Sequence, residues 1–398
     1  MTTALSTTSS PSTAGTSASD QRDLVLHWYL PTYGDSRGVM SGGHGSGLSH
    51  GERPATLDYM AQLCQAAEAN GFESVLIPTG QWCQEGWVVA SAMAARTSRL
   101  KFLVAVRPGL VAAPLLAQQV QTLQDLSGGR VAVNVVIGGE DSEQRTFGDF
   151  TTKQQRYERA DEVLAAAQHL WSSDEPLTVS GDYVQVEGAQ LAQRPAVQPP
   201  IFFGGSSPIG IEVAGRRADV YLTWGETPDK VAAKQDRVRD AAAEAGREDI
   251  DFGIRLHVIA RPTEEEAWAE AQRLLDGIDP AEVARVQARL ATSQSEGQRL
   301  QSELHGRGAG FHTETPARDL EVAPNLWAGI GLVRGGAGTS LVGSYEQVAQ
   351  RLAEYRAIGI RHVILSGYPH LEETWHVGEG LVPQLQQAGI DVRHHTTR

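Results

Sequence analysis

Cysteine is almost missing from this chain: 398 residues hold two, Cys64 and Cys83. That is too few for a disulfide framework and fits a reducing compartment, or one thiol with a task. No apolar run reaches the roughly 18–20 residues of a membrane span. Positive charge is in deficit, with 34 Lys and Arg against 48 Asp and Glu and a net charge of −14. Such a chain repels phosphate backbones, which argues against nucleic-acid binding by general electrostatics. HExxH, paired CxxC, GxSxG and Walker patterns are absent. His370-Leu371-Glu372-Glu373 lacks the second histidine of a zincin helix, so no metal site is expected. Arg334-Gly335-Gly336-Ala337-Gly338 lacks the third glycine of GxGxxG and reads as a mobile loop instead.

Residues 1–22 are Ser/Thr-rich, with no basic start and no apolar stretch. They read as a disordered tail rather than a secretory signal, with a Ser-rich transit-like sequence as the alternative. The expected address is the cytoplasm, and residues 23–398 are expected to form a single domain. The hydrophobic share, 41%, is ample for a core.

After the tail, short β-rich runs alternate with amphipathic helices. The eight expected strands are 24–30, 74–78, 100–106, 131–137, 200–203, 219–224, 252–260 and 362–365. A hairpin is expected over 177–186, and a long charged helical region, 263–304, separates strands seven and eight. Ser344 and Gln347 form a capping box for a helix burying Val348, Leu352 and Tyr355 and stopping at Gly359. Eight strands alternating with helices predict an α/β fold, a (β/α)8 barrel with insertions including a lid between strands seven and eight.

In such a barrel, chemistry sits where strands end. Those ends carry Tyr33, Thr79–Cys83, Arg107, Asn134, Ser206, Ser207, Trp224, Arg255, His257, Tyr368 and His370. This is a basic, aromatic cup in an acidic protein, suited to an anionic small molecule. Arg255 and His257, two apart on one strand, are expected to share a face. Each also has a plainer reading: Arg255 as a solvated outward residue, His257 as a satisfied interior histidine, Cys64 as core. Gly204-Gly205-Ser206-Ser207, between a strand and a helix start, offers bare N–H groups, two hydroxyls and a helix dipole to a phosphate. One phosphate cradle and few nucleophiles point to a phosphorylated organic cofactor.

The strings FGGSS (203–207), YLTWGE (221–226), GIRLHVI (253–259), PNLWAGIGLVRGGAGTSLVG (324–343) and LSGYPHLEE (365–373) resemble the FMNH2-dependent alkanesulfonate monooxygenases, among the bacterial-luciferase-like flavin barrels. The resemblance runs from about Leu24 to Gly389. It implies a luciferase-like TIM barrel, usually a homo-oligomer, that takes reduced FMN from a separate NAD(P)H-dependent FMN reductase. With O2 as co-substrate it would convert an alkanesulfonate to an aldehyde and sulfite. By the same resemblance Cys83 corresponds to the active-site cysteine and Arg255 to a proton donor and sulfonate ligand. His257 and Tyr368 correspond to tuners of proton transfer, and Arg334 to the arginine of a closing loop. Asn134, Glu143, Arg156, Tyr157, Ser206 and Ser207 match FMN-contacting positions. Arg255 and Cys83 are therefore expected to face one cavity.

The chain departs from that pattern at Tyr33 (usually His), Gln81-Trp82 (Arg-Ser), Ile137 (Thr) and Lys153-Gln154-Gln155 (His-Ser-Glu), with 308–316 as an extra insertion. Trp82 is expected to narrow the pocket and change the substrate. The alternatives are a luciferase-like monooxygenase acting on a non-sulfonate, and a flavin-binding protein that has lost catalysis.

Overall fold

The computed structural model describes residues 23–40, 42–43 and 50–392. The expected tail, 1–22, lies outside the described residues, as do residues 41, 44–49 and 393–398.

Eight parallel strands close a barrel in sequence order: β1 (Val25–Tyr29), β2 (Ser74–Ile77), β3 (Lys101–Val106), β4 (Val131–Val135), β5 (Ile201–Gly204), β6 (Val220–Trp224), β7 (Asp251–Arg255) and β8 (Ile360–Leu365), with β8 pairing back to β1. Helices join them, so the strands are apolar on the face the helices cover while alternate residues point inward. The inward set is layered. Leu76, Leu103, Ala132, Phe202, Val220 and Ile364 form an apolar plug. Below it, His27 meets Ser74 (Nδ1 to Oγ, 2.7 Å) and His362 (Nε2 to Nδ1, 3.0 Å). Above it, Tyr29, Asn134, Trp224 and Arg255 reach the C-terminal mouth.

Local signals set the helix ends. Gly128, at φ 70°, stops the helix Ala113–Ser127 in a left-handed turn. Thr152 and Gln155 form a capping box at the start of Lys153–Ser172. The expected box of Ser344 and Gln347 opens Tyr345–Ala357, with Val348, Leu352 and Tyr355 buried.

Two expectations need correction, and the helical region 263–304 is borne out in finer detail. The seventh strand is not continuous over 252–260. It breaks at Leu256, and His257–Arg261 leaves the barrel to pair in parallel with Ser340–Ser344, with His257 opposite Ser340. Leu326–Trp327 and Glu321–Ala323 extend that second sheet antiparallel. The 263–304 region is three helices, Glu264–Asp276, Pro280–Leu290 and Glu296–Leu304, the second and third opened by Asp279 and Ser295 caps. The hairpin pairs Leu177–Ser180 with Gln185–Ala189, three residues longer than expected. The second sheet and these helices share their own core, in which Trp268, Leu274, Trp327, Ile330, Leu332 and Tyr368 are buried.

Candidate active site

A cavity of about 350 Å³ lies between the C-terminal strand ends and the 293–337 segment above them. Its lining includes Tyr29, Tyr33, Trp82, Arg107, Asn134, Ile137, Glu143, Lys153, Tyr157, Ser206, Ser207, Trp224, Arg255, His257, Arg334, Tyr368 and His370.

One wall holds two arginines. Arg255, the last residue of β7, lies over the Tyr29 ring, its guanidinium carbon 5.0 Å from the centroid. Its Nη1 donates to Leu256 O (2.5 Å) and its Nη2 to Ser366 Oγ (2.8 Å). Among the described residues Arg255 makes no ion pair, and burial draws it down from its ordinary value. Arg334 is buried at 4% exposure, 5.6 Å from the Tyr368 ring and 6.0 Å from that of Tyr33. Burial pulls its pKa down, but Tyr368, Tyr33 and Tyr29 outweigh that and raise it. Gly43, at φ +85°, lies so close that a Cβ there would stand 2.4 Å from Arg334 Nη1.

His257 stacks on Tyr368 with centroids 5.6 Å apart and planes 16° off parallel. Burial, then Arg255, His370 and Arg334, keep it well below the usual histidine range, so it is neutral. His370 is likewise pushed down to about 4 by burial. Burial raises the hydroxyls of Tyr29 and Tyr33, so both stay protonated.

The Gly335–Gly338 loop is held from two sides. Gly336 N donates to Gln298 Oε1 (2.8 Å) and Gly338 N to Gln301 Oε1 (3.0 Å), both on the helix Glu296–Leu304. His257 Nε2 meets Ala337 O at 3.1 Å.

At the other end, Ser207 caps the helix Pro208–Arg217. Gly205 and Gly210 leave room for nothing larger, since a Cβ on either would stand 2.9 Å from Tyr157 Oη. Bare glycines, Tyr157, Ser206 and Ser207 at a helix N-terminus make a site shaped for an oxyanion. Between the two ends, Arg107 Nη2 donates to Glu143 Oε2 (2.8 Å), while Arg107 Nε and Nη1 and Glu143 Oε1 are buried without hydrogen-bond partners among the described residues. A heteroaromatic ring edge would supply what these atoms lack.

Two predicted residues lie outside the lining, although Cys83 is near enough to the lining residues Tyr29, Arg107 and Glu143 to interact with their charges. Cys83 is not in the lining. Its thiol donates to Gly80 O (3.3 Å), and burial pushes its pKa up to about 12, so it is no thiolate at neutral pH. The expectation that Arg255 and Cys83 share a cavity is therefore met by Arg255 alone; Trp82, the preceding residue, takes the wall position. Arg156 is also absent from the lining. Its guanidinium donates to Thr151 O (2.6 Å) and Asp141 Oδ1 (2.8 Å), fixing the loop after β4 rather than facing a ligand. The basic cup needs adjusting too. Arg107, Lys153, Lys234, Arg255 and Arg334 line it, but so do Glu140, Glu143, Glu226 and Glu296. The positive excess is local to the Arg255–Arg334 wall.

Sequence reading missed Tyr29, Ser366, Gln298 and Gln301. Tyr29 lay inside an expected strand, and the glutamines, three apart on a helix, share a face that only tertiary structure turns toward the loop.

An eight-stranded barrel with a roofed, arginine-bearing cavity at its strand C-termini is the architecture of a barrel enzyme acting on a bound organic ligand. The chain belongs to the luciferase-like monooxygenase family, whose model matches residues 37–362. Solved structures of similar fold include DmoA from Hyphomicrobium sulfonivorans, 22% identical with a TM-score of 0.74 over 94% of this chain and 90% of that one. Riboflavin lyase (RcaE) with modified FMN and riboflavin is 21% identical, TM-score 0.74, over 94% of both chains. EDTA monooxygenase (EmoA) from Chelativorans sp. BNC1 is 18% identical, TM-score 0.74, over 94% and 96%.

Proposed function

We propose that the protein is an FMNH2-dependent monooxygenase that desulfonates an alkanesulfonate, fed with reduced FMN by a separate NAD(P)H-dependent reductase. The observation that carries this is Arg255: a partly buried guanidinium lining the cavity that has no carboxylate partner among the described residues, beside Arg334. A fixed planar cation suits a sulfonate, which is charged at every physiological pH and presents oxygens to a fork of N–H donors.

The residues present fit FMN. Ser206, Ser207 and Tyr157 with the Gly205–Gly210 turn would hold the phosphate, and Asn134, Arg107 and Glu143 the ring. Reduced FMN supplies the electrons for O2 activation. One oxygen atom enters the aldehyde and the other leaves as water, while the C–S bond breaks to release sulfite. Arg255 and Arg334 bind and orient the anion. Tyr29 and Tyr33 keep their hydroxyl protons and can donate hydrogen bonds to it. The Gly335–Gly338 loop, held by Gln298 and Gln301, excludes water from the mouth. The proposal carries with it a cytoplasmic homo-oligomer that needs no metal and binds neither nucleic acid nor membrane.

Tyr33, Trp82, Ile137 and Lys153 all line the cavity, so the substrate preference is expected to differ from that of the commonest alkanesulfonates. The four lining glutamates favour a second reading, a family monooxygenase acting on a less anionic substrate. A coupled assay with an FMN reductase, NADPH and a sulfonate panel separates them: sulfite release supports desulfonation, and oxygenated product without sulfite supports the second.

A further inference from the structure

Ser366 sits immediately after β8 with no exposed surface. Its Oγ lies 2.8 Å from Arg255 Nη2 and 2.7 Å from His257 Nδ1. The donors and acceptors of this chain can be assigned by elimination. Arginine has only N–H groups, so Ser366 Oγ accepts from Arg255. Ala337 O can only accept, so His257 Nε2 carries the proton that reaches it across 3.1 Å. Nδ1 of the neutral ring is then an acceptor, and it takes the single Ser366 hydroxyl proton. An imidazolium would aim a second N–H at an oxygen already accepting from Arg255, beside the charge of Arg334.

We propose that Ser366 is a positioning residue that holds the Arg255 guanidinium and the His257 ring in register with each other, and through Ala337 O couples both to the Gly335–Gly338 loop. The break at Leu256 makes this link necessary. Arg255 belongs to the barrel and His257 to the second sheet, and Ser366 Oγ is hydrogen-bonded to both side chains. Ser366 also serves the backbone, its carbonyl accepting from Val258 N at 2.9 Å. Ser366→Ala leaves that bond in place and removes only the hydroxyl. The proposal deepens the desulfonation reading and rests on it, yet its first readout needs no substrate.

That readout is the ring ¹⁵N spectrum of the full chain, with His257 assigned by its loss in His257→Asn. Wild type is expected to show one neutral tautomer protonated on Nε2 with Nδ1 accepting a hydrogen bond, and Ser366→Ala the same tautomer with the Nδ1 resonance shifted toward that of an acceptor without a donor. The second readout is turnover of octanesulfonate. Ser366→Ala should lower kcat/KM on the order of 10²-fold, the scale of a misplaced binding group, with FMN affinity unchanged within twofold. A wild-type ring protonated on Nδ1 would overturn the proposal whether or not the variant folds. So would a Ser366→Ala protein that keeps the wild-type Nδ1 resonance and turnover. If no sulfonate is turned over by wild type, the functional reading falls, and the ring spectrum alone decides the role of Ser366.

Discussion

The guanidinium of Arg255 and the ring of Tyr29 stack at 5.0 Å across the barrel mouth, one ending β7 and the other β1. The stack fixes the plane in which Arg255 presents its N–H groups, leaving it directed at the cavity. Losing a hydrogen bond to a charged group costs about 1.5–3 kcal/mol. Arg255→Ala should therefore weaken sulfonate binding roughly ten- to a hundredfold or more, with a further loss in turnover and much less change in FMN affinity. Arg255→Lys should recover little, because an ammonium lacks the planar fork. Calorimetric titration of each variant with octanesulfonate and with FMN checks both statements; near-normal kcat in Arg255→Ala would remove the arginine from the site.

Trp82 and Tyr33 meet edge to face at 5.4 Å and narrow the cavity. Trp82→Ser should widen it and raise kcat/KM for long-chain sulfonates relative to short ones. A homologous series from ethane- to decanesulfonate, read as sulfite, measures this. An unchanged chain-length profile would show that the indole does not set length.

Arg334 precedes the loop that Gln298 and Gln301 hold. Arg334→Ala and Gln301→Ala should both loosen the roof, admit water and raise the hydrogen peroxide formed per NADPH consumed. Paired oxygen-electrode and peroxide assays report that ratio. Equal coupling in wild type and variants would mean the loop does not protect the site.

Much of this arrangement could be read from the sequence, and the exceptions share a cause. All eight barrel strands are visible because each is a short apolar run between turn signals and helical periodicity. The break at Leu256 is not, because GIRLHVI is one unbroken β-prone string, and what divides it is pairing with Ser340–Ser344, some eighty residues on. Cys83 and Arg156 carry family-like motifs, but a motif does not say which way a side chain turns: one donates to Gly80 O and the other to Asp141. Ser366 gives no signal beyond its place after a strand, since a small hydroxyl matters here only through its two neighbours.

The lower barrel predicts acid sensitivity. Burial holds His27 well below its ordinary value of 6.5, with His362 and Lys101 adding to the effect, and burial lowers His362 despite Asp251. Below pH 6.5 the unfolded chain binds protons that the folded one does not, so this stability is complete above pH 6.5 and is lost as pH falls toward the folded-state values. Each such histidine contributes a slope of about 1.4 kcal/mol per pH unit. Glu373, pushed up to about 7 by burial, acts in the opposite direction, so the informative quantity is a difference between variants. Urea unfolding of His27→Gln and wild type from pH 7 to 5 should give the variant the shallower decline, by about 1.4 kcal/mol per unit. Parallel declines would place no titrating proton on His27.

The most direct test is a single turnover. Protein loaded with reduced FMN is mixed rapidly with oxygenated buffer, with and without octanesulfonate and shorter or aromatic sulfonates, and the sulfite formed is counted against flavin oxidised. Sulfite approaching one equivalent per flavin with at least one sulfonate, and none in Arg255→Ala, is the expected result. Flavin oxidation that yields only hydrogen peroxide with every sulfonate would contradict a sulfonate-binding arginine wall.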